Sequence, residues 1–325
     1  RTGPRGAGWK PDSGATLLWL EALDEGNPAR PASHRDRIVQ QIAQPNAHLE
    51  EVYRTEHRCT GVWWNPDCSW ALVREYDRDR RWTRTWQVTD KNASTTPRLL
   101  WSRSVNDRYG DPGFPALRPL ADGRRVIHEQ DGALYLHGAG ATPEGDRPFL
   151  NRYHLADGTT ETLFRSPTDA WESVVVMLDN RAEQLLVHRE SPDCPPNLEI
   201  RLAGRPHRRI TQRIDPEPVL RRIQRRIITC RRSDGVELSF TLCLPADHSP
   251  QQPPLPALLW AYPREFNDPE TAGQVSGSVN RFNTLAGASH LFLVSLGYAV
   301  LDEVSMPVIG SPADANDSFI RQISD

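Results

Sequence analysis

No apolar run in these 325 residues is long enough to span a membrane: the longest, Leu291–Leu301, has 11, against the roughly 20 a spanning helix needs. The five cysteines (Cys59, Cys68, Cys194, Cys230 and Cys243) contain no C-x-x-C pair. An odd count without such a pair argues against a zinc site and a disulfide framework, and it leaves the redox compartment open. Lysine is nearly missing. Of 39 basic residues only Lys10 and Lys91 are lysine, which reads as an arginine-rich codon bias rather than selection for phosphate binding. Large net charge is also lacking: a formal −3 excludes a polybasic nucleic-acid binder on bulk electrostatics. The chain opens at Arg1 with no charged-then-apolar leader, so no signal peptide is readable. What is present is 38% hydrophobic and 25% charged residues, enough apolar material for real cores and too much for a disordered chain. The length predicts two units.

A repeat runs through the first two thirds. A turn-forming Asp precedes an apolar run at Asp12, Asp67, Asp122 and Asp179, at intervals of 55, 55 and 57 residues. The runs are Leu17–Leu20, Ala71–Val73, Val126–Ile127 and Leu185–Val187, closed by Glu21, Glu75, Glu129 and Glu190. A third strand is expected at Arg37–Ile42, Arg84–Val88, Arg152–Leu155 and Asn197–Leu202. A fourth is expected at Leu49–Arg54, Arg98–Ser102, Thr160–Phe164 and His207–Ile210. Four short strands per repeat point to β-propeller blades, whose sheets cover one another's faces. A β-sandwich with accidental spacing is the alternative. The first repeat lacks an innermost strand ahead of Trp9, so the propeller is expected to continue upstream.

Near residue 215 the grammar changes. Pro216 and Pro218 mark a linker, and Arg231–Gly235 reads as a hairpin turn before the alternating segment Val236–Leu244. Ala257–Tyr262 is continuously apolar, as a strand buried on both faces of a parallel sheet would be. Another strand follows Gly297 at Tyr298–Leu301, and Asn316-Asp317 reads as the N-cap of a helix over 318–323. This succession predicts the front of an α/β domain.

The segments Ser233–Val236, Leu242–Pro245 and Trp260-Ala261-Tyr262-Pro263-Arg264-Glu265-Phe266 carry a specific likeness. So do Ala272–Val275, Gly277-Ser278, Asn280–Phe282, Gly297–Leu301, Asn106–Gly113 and Pro195–Asn197. The chain resembles the prolyl oligopeptidase family of serine peptidases, in its glutamyl endopeptidase branch, known from chloroplasts and bacteria. The resemblance implies β-propeller blades followed by the N-terminal part of an α/β-hydrolase domain. It also implies hydrolysis of peptide bonds by a Ser-Asp-His triad, with no metal or organic cofactor. The expected boundaries are 1–212 for about four propeller blades and 213–325 for the start of the peptidase domain.

The chain departs from the family in one respect: it contains no G-x-S-x-G. Gly287-Ala288-Ser289-His290-Leu291 comes nearest but lacks the second glycine, and Ser289 reads as a loop serine. The triad is therefore expected beyond Asp325, and the chain alone is expected to be inactive. One catalytic element remains. A tyrosine hydroxyl at this strand end stabilises the oxyanion in relatives, and Tyr262 matches it; the other reading is a cavity-wall tyrosine. Preference for glutamate requires a cation, and Arg264 and Arg281 are the candidates, each with an alternative as a structural ion pair, for example with Glu265 or Asp268.

Other features read as structural. Glu50-Glu51 point to opposite strand faces and read as solvated. Asp107 and Asp111 read as turn residues rather than a calcium loop. Arg78, Arg80, Arg81 and Arg84, alternating with Asp77 and Asp79, read as a self-compensated exposed hairpin. The Arg221–Arg232 cluster reads as inter-domain packing rather than a nucleic-acid patch, and the N-x-[ST] matches at Asn92 and Asn316 as chance. The expected partner is a peptide or unfolded protein, with no nucleic acid and no membrane. Compartment and oligomeric state are not readable. A second function class stays open: a non-catalytic β-propeller module that binds a peptide or protein.

Overall fold

The computed structural model describes residues 3–11, 14–89, 96–311 and 315–324. Arg1, Asp12, Lys91, Asn92 and Asp325 lie outside them, as does the side chain of Asn316.

Four sheets of four or five strands and one two-stranded ribbon follow one another along the first two thirds of the chain. The first contains β1 (Arg5–Trp9), β2 (Thr16–Ala22), β3 (Asp36–Ile42) and β4 (Glu50–Thr55), and the second β5 (Arg58–Trp64), β6 (Trp70–Asp77), β7 (Trp82–Thr89) and β8 (Arg98–Ser104). After them come β9 (Phe114–Pro115), β10 (Leu117–Pro119), β11 (Arg125–Ile127), β12 (Glu129–Gln130), β13 (Ala133–Gly138), β14 (Phe149–His154) and β15 (Thr160–Arg165). The fourth sheet holds β16 (Trp171–Met177), β17 (Gln184–Ser191), β18 (Cys194–Leu202) and β19 (Arg208–Arg209). In each four-strand path the spatial order equals the chain order, an antiparallel meander.

Two expectations about the repeat need correction. The first repeat does have its first strand: β1 pairs antiparallel with β2 through Gly8↔Leu18 and Trp9↔Leu17. Its Gly-rich, mostly exposed residues have no hydrophobic alternation to betray it. In the third repeat, Val126–Ile127 is not the strand beside β14. It pairs with β10 in a separate two-stranded ribbon, and β13 fills the repeat position, with Ala133, Leu134, Tyr135 and Leu136 at most 1% exposed.

The mutual cover expected between neighbouring sheets is visible in the first two. Leu18 and Ile38 form one buried cluster with Cys59, Val73 and Val88. The repeat is also written in its ion pairs. Glu21 sits opposite Arg37 on the neighbouring strand and Glu75 opposite Arg84. Glu21 accepts the Arg37 Nε–H at 2.8 Å, and Glu75, buried, accepts the Trp86 indole N–H at 3.0 Å.

The final segment builds a mixed sheet from β20 (Gln224–Arg231), β21 (Glu237–Leu244), β22 (Ala257–Phe266) and β23 (Ala299–Ile309). Its order is β20-β21-β23-β22. β20 and β21 form the expected hairpin, closed by Gly235 at φ 90. β22 and β23 run parallel, so a crossover must join them. It contains two single-turn helices, α1 (Pro269–Ala272) and α2 (Phe292–Ser295). Asp268 caps α1, its carboxylate accepting the Thr271 N–H at 2.8 Å, with Pro269 at the first position where its missing N–H costs nothing.

The apolar stretch Ala257–Tyr262 is a strand of a parallel pair, but it is not buried on both faces. As an edge strand it leaves Leu259, Trp260 and Tyr262 52%, 54% and 78% exposed. The last helix, α3 (Ala315–Ser324), contains Asn316-Asp317 rather than starting after them.

Contacts divide the chain into two compact units: Arg1–Val105 with Pro115–Tyr135 and Tyr153–Thr159, and Asn106–Phe114 with Leu136–Arg152 and Thr160–Asp325. Among the described residues no helix is long and apolar enough to cross a membrane.

Candidate active site

Within the second unit a cavity of about 460 Å³ opens beside β22. Side chains two apart on a strand share a face, and Tyr262 and Arg264 both line this cavity. Both are exposed. Neither the Tyr262 hydroxyl nor the Arg264 guanidinium has a hydrogen-bond partner among the described residues. Asp268, one proposed partner of Arg264, is occupied as the cap of α1.

The floor is shaped by a bulge. Between the pairs Leu259↔Leu301 and Ala261↔Val304, β22 has one residue and β23 has two. Glu303, one of the pair, lies in the left-handed region at φ 51 and lines the cavity, a placement that bulges beside functional sites commonly produce. Asp302, its neighbour, meets the His290 Nε2 at 2.6 Å, and the His290 ring stacks on Trp260 at 4.3 Å.

Another wall comes from three loops, around Arg108, Asp146 and Gln274, that sequence reasoning did not bring together. The N–H groups of Arg108 and Tyr109 donate to the Gln274 side-chain oxygen at 2.6 and 3.1 Å. Gln274 in turn donates to Asp107 at 2.9 Å, and the Val275 N–H donates to the Tyr109 hydroxyl at 2.9 Å. Arg108 donates through Nη2 to both oxygens of Asp146, at 2.9 and 3.1 Å. Asp146 also accepts the Gly277 N–H at 3.2 Å, while its own N–H donates to the Gly277 carbonyl at 2.7 Å. Burial pushes the Asp146 carboxyl above its ordinary range against the opposing pull of Arg108. The sequence signal for this cluster was the pair of segments Asn106–Gly113 and Ala272–Ser278, read separately; nothing in either announces the other.

The remaining candidates fall elsewhere. Arg281 Nε lies 2.5 Å from buried Glu190, and its guanidinium covers the Trp171 ring at 4.2 Å. The Phe282 N–H donates to the same Glu190 at 3.0 Å. Ser289 is a turn serine, its hydroxyl accepting the Leu291 N–H at 3.3 Å. Burial pushes the Cys59 and Cys243 thiols up to about 12 and about 11, which makes both poor nucleophiles. Among the described residues no cluster of His, Cys, Asp and Glu could hold a metal ion.

The decoys resolve into local chemistry. Asp107 and Asp111 accept the Gly110 and Gly113 N–H groups, each at 3.0 Å. Glu51 pairs with Arg54 and Glu50 accepts from Gln40. Arg81 departs from the exposed-hairpin reading: it is 8% exposed at φ 48, because the turn folds it inward. The Arg221–Arg232 run divides: Arg222 and Arg231 form exposed ion pairs with Asp247 and Glu237, while Arg221 and Arg232 are packed. Arg221 lies 3.5 Å over Phe282, and buried Arg232 donates to Asp234, Pro307 and Gln322.

Two curated relatives match almost the whole chain. Both are named probable glutamyl endopeptidase, chloroplastic: one from Oryza sativa subsp. japonica at 36% identity and one from Arabidopsis thaliana at 34%, each over 99% of this chain. The resemblance to the glutamyl endopeptidase branch is borne out. The chain spans 36% of the length of each glutamyl endopeptidase it matches. No family model matches it. Among solved structures it is similar to a prolyl endopeptidase, at 15% identity and a TM-score of 0.51, over 99% of this chain and 50% of that one. It is likewise similar to oligopeptidase B from Trypanosoma brucei, at 13% identity and a TM-score of 0.51, over 91% and 45%. Likeness at these identities speaks to the fold alone.

Proposed function

We propose that this chain is part of a serine peptidase of the prolyl oligopeptidase type that hydrolyses peptide bonds after glutamate. In this reading residues 1–212 are propeller blades. Residues 213–325 begin an α/β-hydrolase domain, a role supported by the hairpin, the parallel pair and its crossover. The observation that carries the chemistry is the shared face of Tyr262 and Arg264. A hydroxyl and a cation, neither with a partner among the described residues, stand two residues apart on one strand, roughly 6.6 Å along it. Tyr262 donates its O–H to the oxyanion of the tetrahedral intermediate, a contact worth about 3 kcal/mol of barrier. Arg264 faces the carboxylate of the substrate side chain. Arg281 is the second proposed cation, and to act it must share its guanidinium with Glu190.

The serine, aspartate and histidine of the triad belong to a part of the parent protein outside this chain. Hydrolysis then follows serine attack, acyl-enzyme formation and water attack, on peptides or unfolded protein, with no cofactor. A fluorophosphonate probe tests the reading. The full-length parent is expected to take up the label on a serine within G-x-S-x-G, and the 325-residue chain to take up none. A full-length protein that resists the probe and cleaves no peptide overturns the peptidase and leaves the peptide-binding module.

A further inference from the structure

Arg264 has no hydrogen-bond partner among the described residues, and Arg281 is already paired with Glu190. Beside Arg264 the cavity holds a second arginine, Arg108, which the sequence did not single out. Its backbone N–H is fixed by Gln274 and its guanidinium by Asp146 through Nη2 alone. The Nε and Nη1 donors have no acceptor among the described residues, and the side chain is 32% exposed. A guanidinium held at Nη2 by a carboxylate keeps its charge and its plane fixed and leaves Nη1 as a positioned, charge-assisted donor for a second one. Such anchoring lowers the side-chain entropy lost on binding, which a free arginine such as Arg264 must still lose.

We propose that Arg108 is the principal residue that reads the acidic side chain of the substrate, with Arg264 as a weaker second cation on the same carboxylate and Asp146 and Gln274 as the positioning residues of Arg108. This rests on the peptidase reading above and deepens it. Asp146 is a suitable anchor because both its oxygens accept from Arg108 Nη2, at 2.9 and 3.1 Å, while the Gly277 N–H holds the carboxylate in place at 3.2 Å. A glutaminyl side chain offers the same donor an uncharged acceptor, so discrimination arises from the charge-assisted pair.

The test uses the full-length protein and two peptides that differ only in glutamate against glutamine before the cleaved bond. The readout is the ratio of their kcat/KM values, because a loosened loop lowers both terms while loss of the reader lowers only the glutamyl one. Arg108→Gln is expected to reduce that ratio by about 100-fold, and Arg264→Gln by less than about 10-fold. An unchanged ratio in Arg108→Gln, or a ratio abolished by Arg264→Gln instead, overturns the assignment. A wild-type protein that cleaves neither peptide removes the peptidase reading and this inference with it. A second measurement needs no variant: phenylglyoxal modification of Arg108 in the wild type, mapped by peptide mass. A product peptide ending in glutamate is expected to slow it and one ending in glutamine is not; equal rates with both overturn the proposal.

Discussion

Asp24 and Asp36 have side chains with no exposed surface, and three arginines, Arg5, Arg35 and Arg58, converge on them. Asp24 accepts from Arg35 at 2.9 Å, from the Gly26 N–H at 3.0 Å and from Arg58. Burial alone would raise its carboxyl, but the Arg58 and Arg35 hydrogen bonds outweigh it and hold the group at about 2. The folded value is therefore below the unfolded one of about 3.9. The stability it contributes is full above that unfolded value and is lost as pH falls through about 2. Asp24→Asn is expected to destabilise the protein by about 3 kcal/mol at neutral pH, the scale of breaking a buried pair. The gap to wild type should close as acid protonates the native aspartate. Urea unfolding followed by tryptophan fluorescence, repeated down a pH series, checks it; a gap that persists at about pH 2 assigns the effect to packing. None of this was legible beforehand, because Arg58 lies 34 residues from Asp24 and arginine is common throughout.

At the scale of elements, most strands were readable because turn chemistry and apolar runs coincide. The third repeat shows how the reading failed. Two Asp-Gly turns, Asp122-Gly123 and Asp131-Gly132, compete there, and the regular 55-residue interval favoured the first. Asp131 at φ 52 and Gly132 at φ 71 form the tight turn that joins β12 to β13, the left-handed pair that a two-residue hairpin demands. Backbone conformation, not periodicity, was the better guide. The bulge of β23 was invisible for the opposite reason: Glu303 carries no turn signal, yet it occupies the left-handed region. Holding a residue other than glycine there costs about 1–2 kcal/mol, while glycine in a strand loses about 0.5–1 kcal/mol to unfolded-state entropy. Glu303→Gly is therefore expected to stabilise the protein by about 0.5–1 kcal/mol. Destabilisation in urea melts would mean that the Glu303 side chain makes a contact that outweighs the strain.

For the whole molecule, the sequence yielded the order of the sheets and named Tyr262 and Arg264, but it ended the strand at Tyr262, whereas β22 runs on to Phe266 and carries both residues inside it. It did not yield the wall around Arg108. Arg108 and Asp146 stand 38 residues apart and the Arg108–Gln274 contact spans 166, so only the folded chain joins them. The sequence also misjudged how β22 is covered, since an apolar run does not say whether its neighbours are present. That strand is an edge, with Leu259, Trp260 and Tyr262 all more than half exposed. An exposed apolar edge offers unpaired backbone groups and a hydrophobic face together, which is the arrangement that recruits a second copy. The 325-residue chain in isolation is expected to associate at micromolar concentration, read as a concentration-dependent rise in sedimentation coefficient. Leu259→Lys places a charge on that edge, the device natural sheets use against such pairing, and should return the chain to monomer. Association undiminished by Leu259→Lys would locate the contact on another surface. A chain that stays monomeric without the substitution would show that the β22 edge is covered in solution.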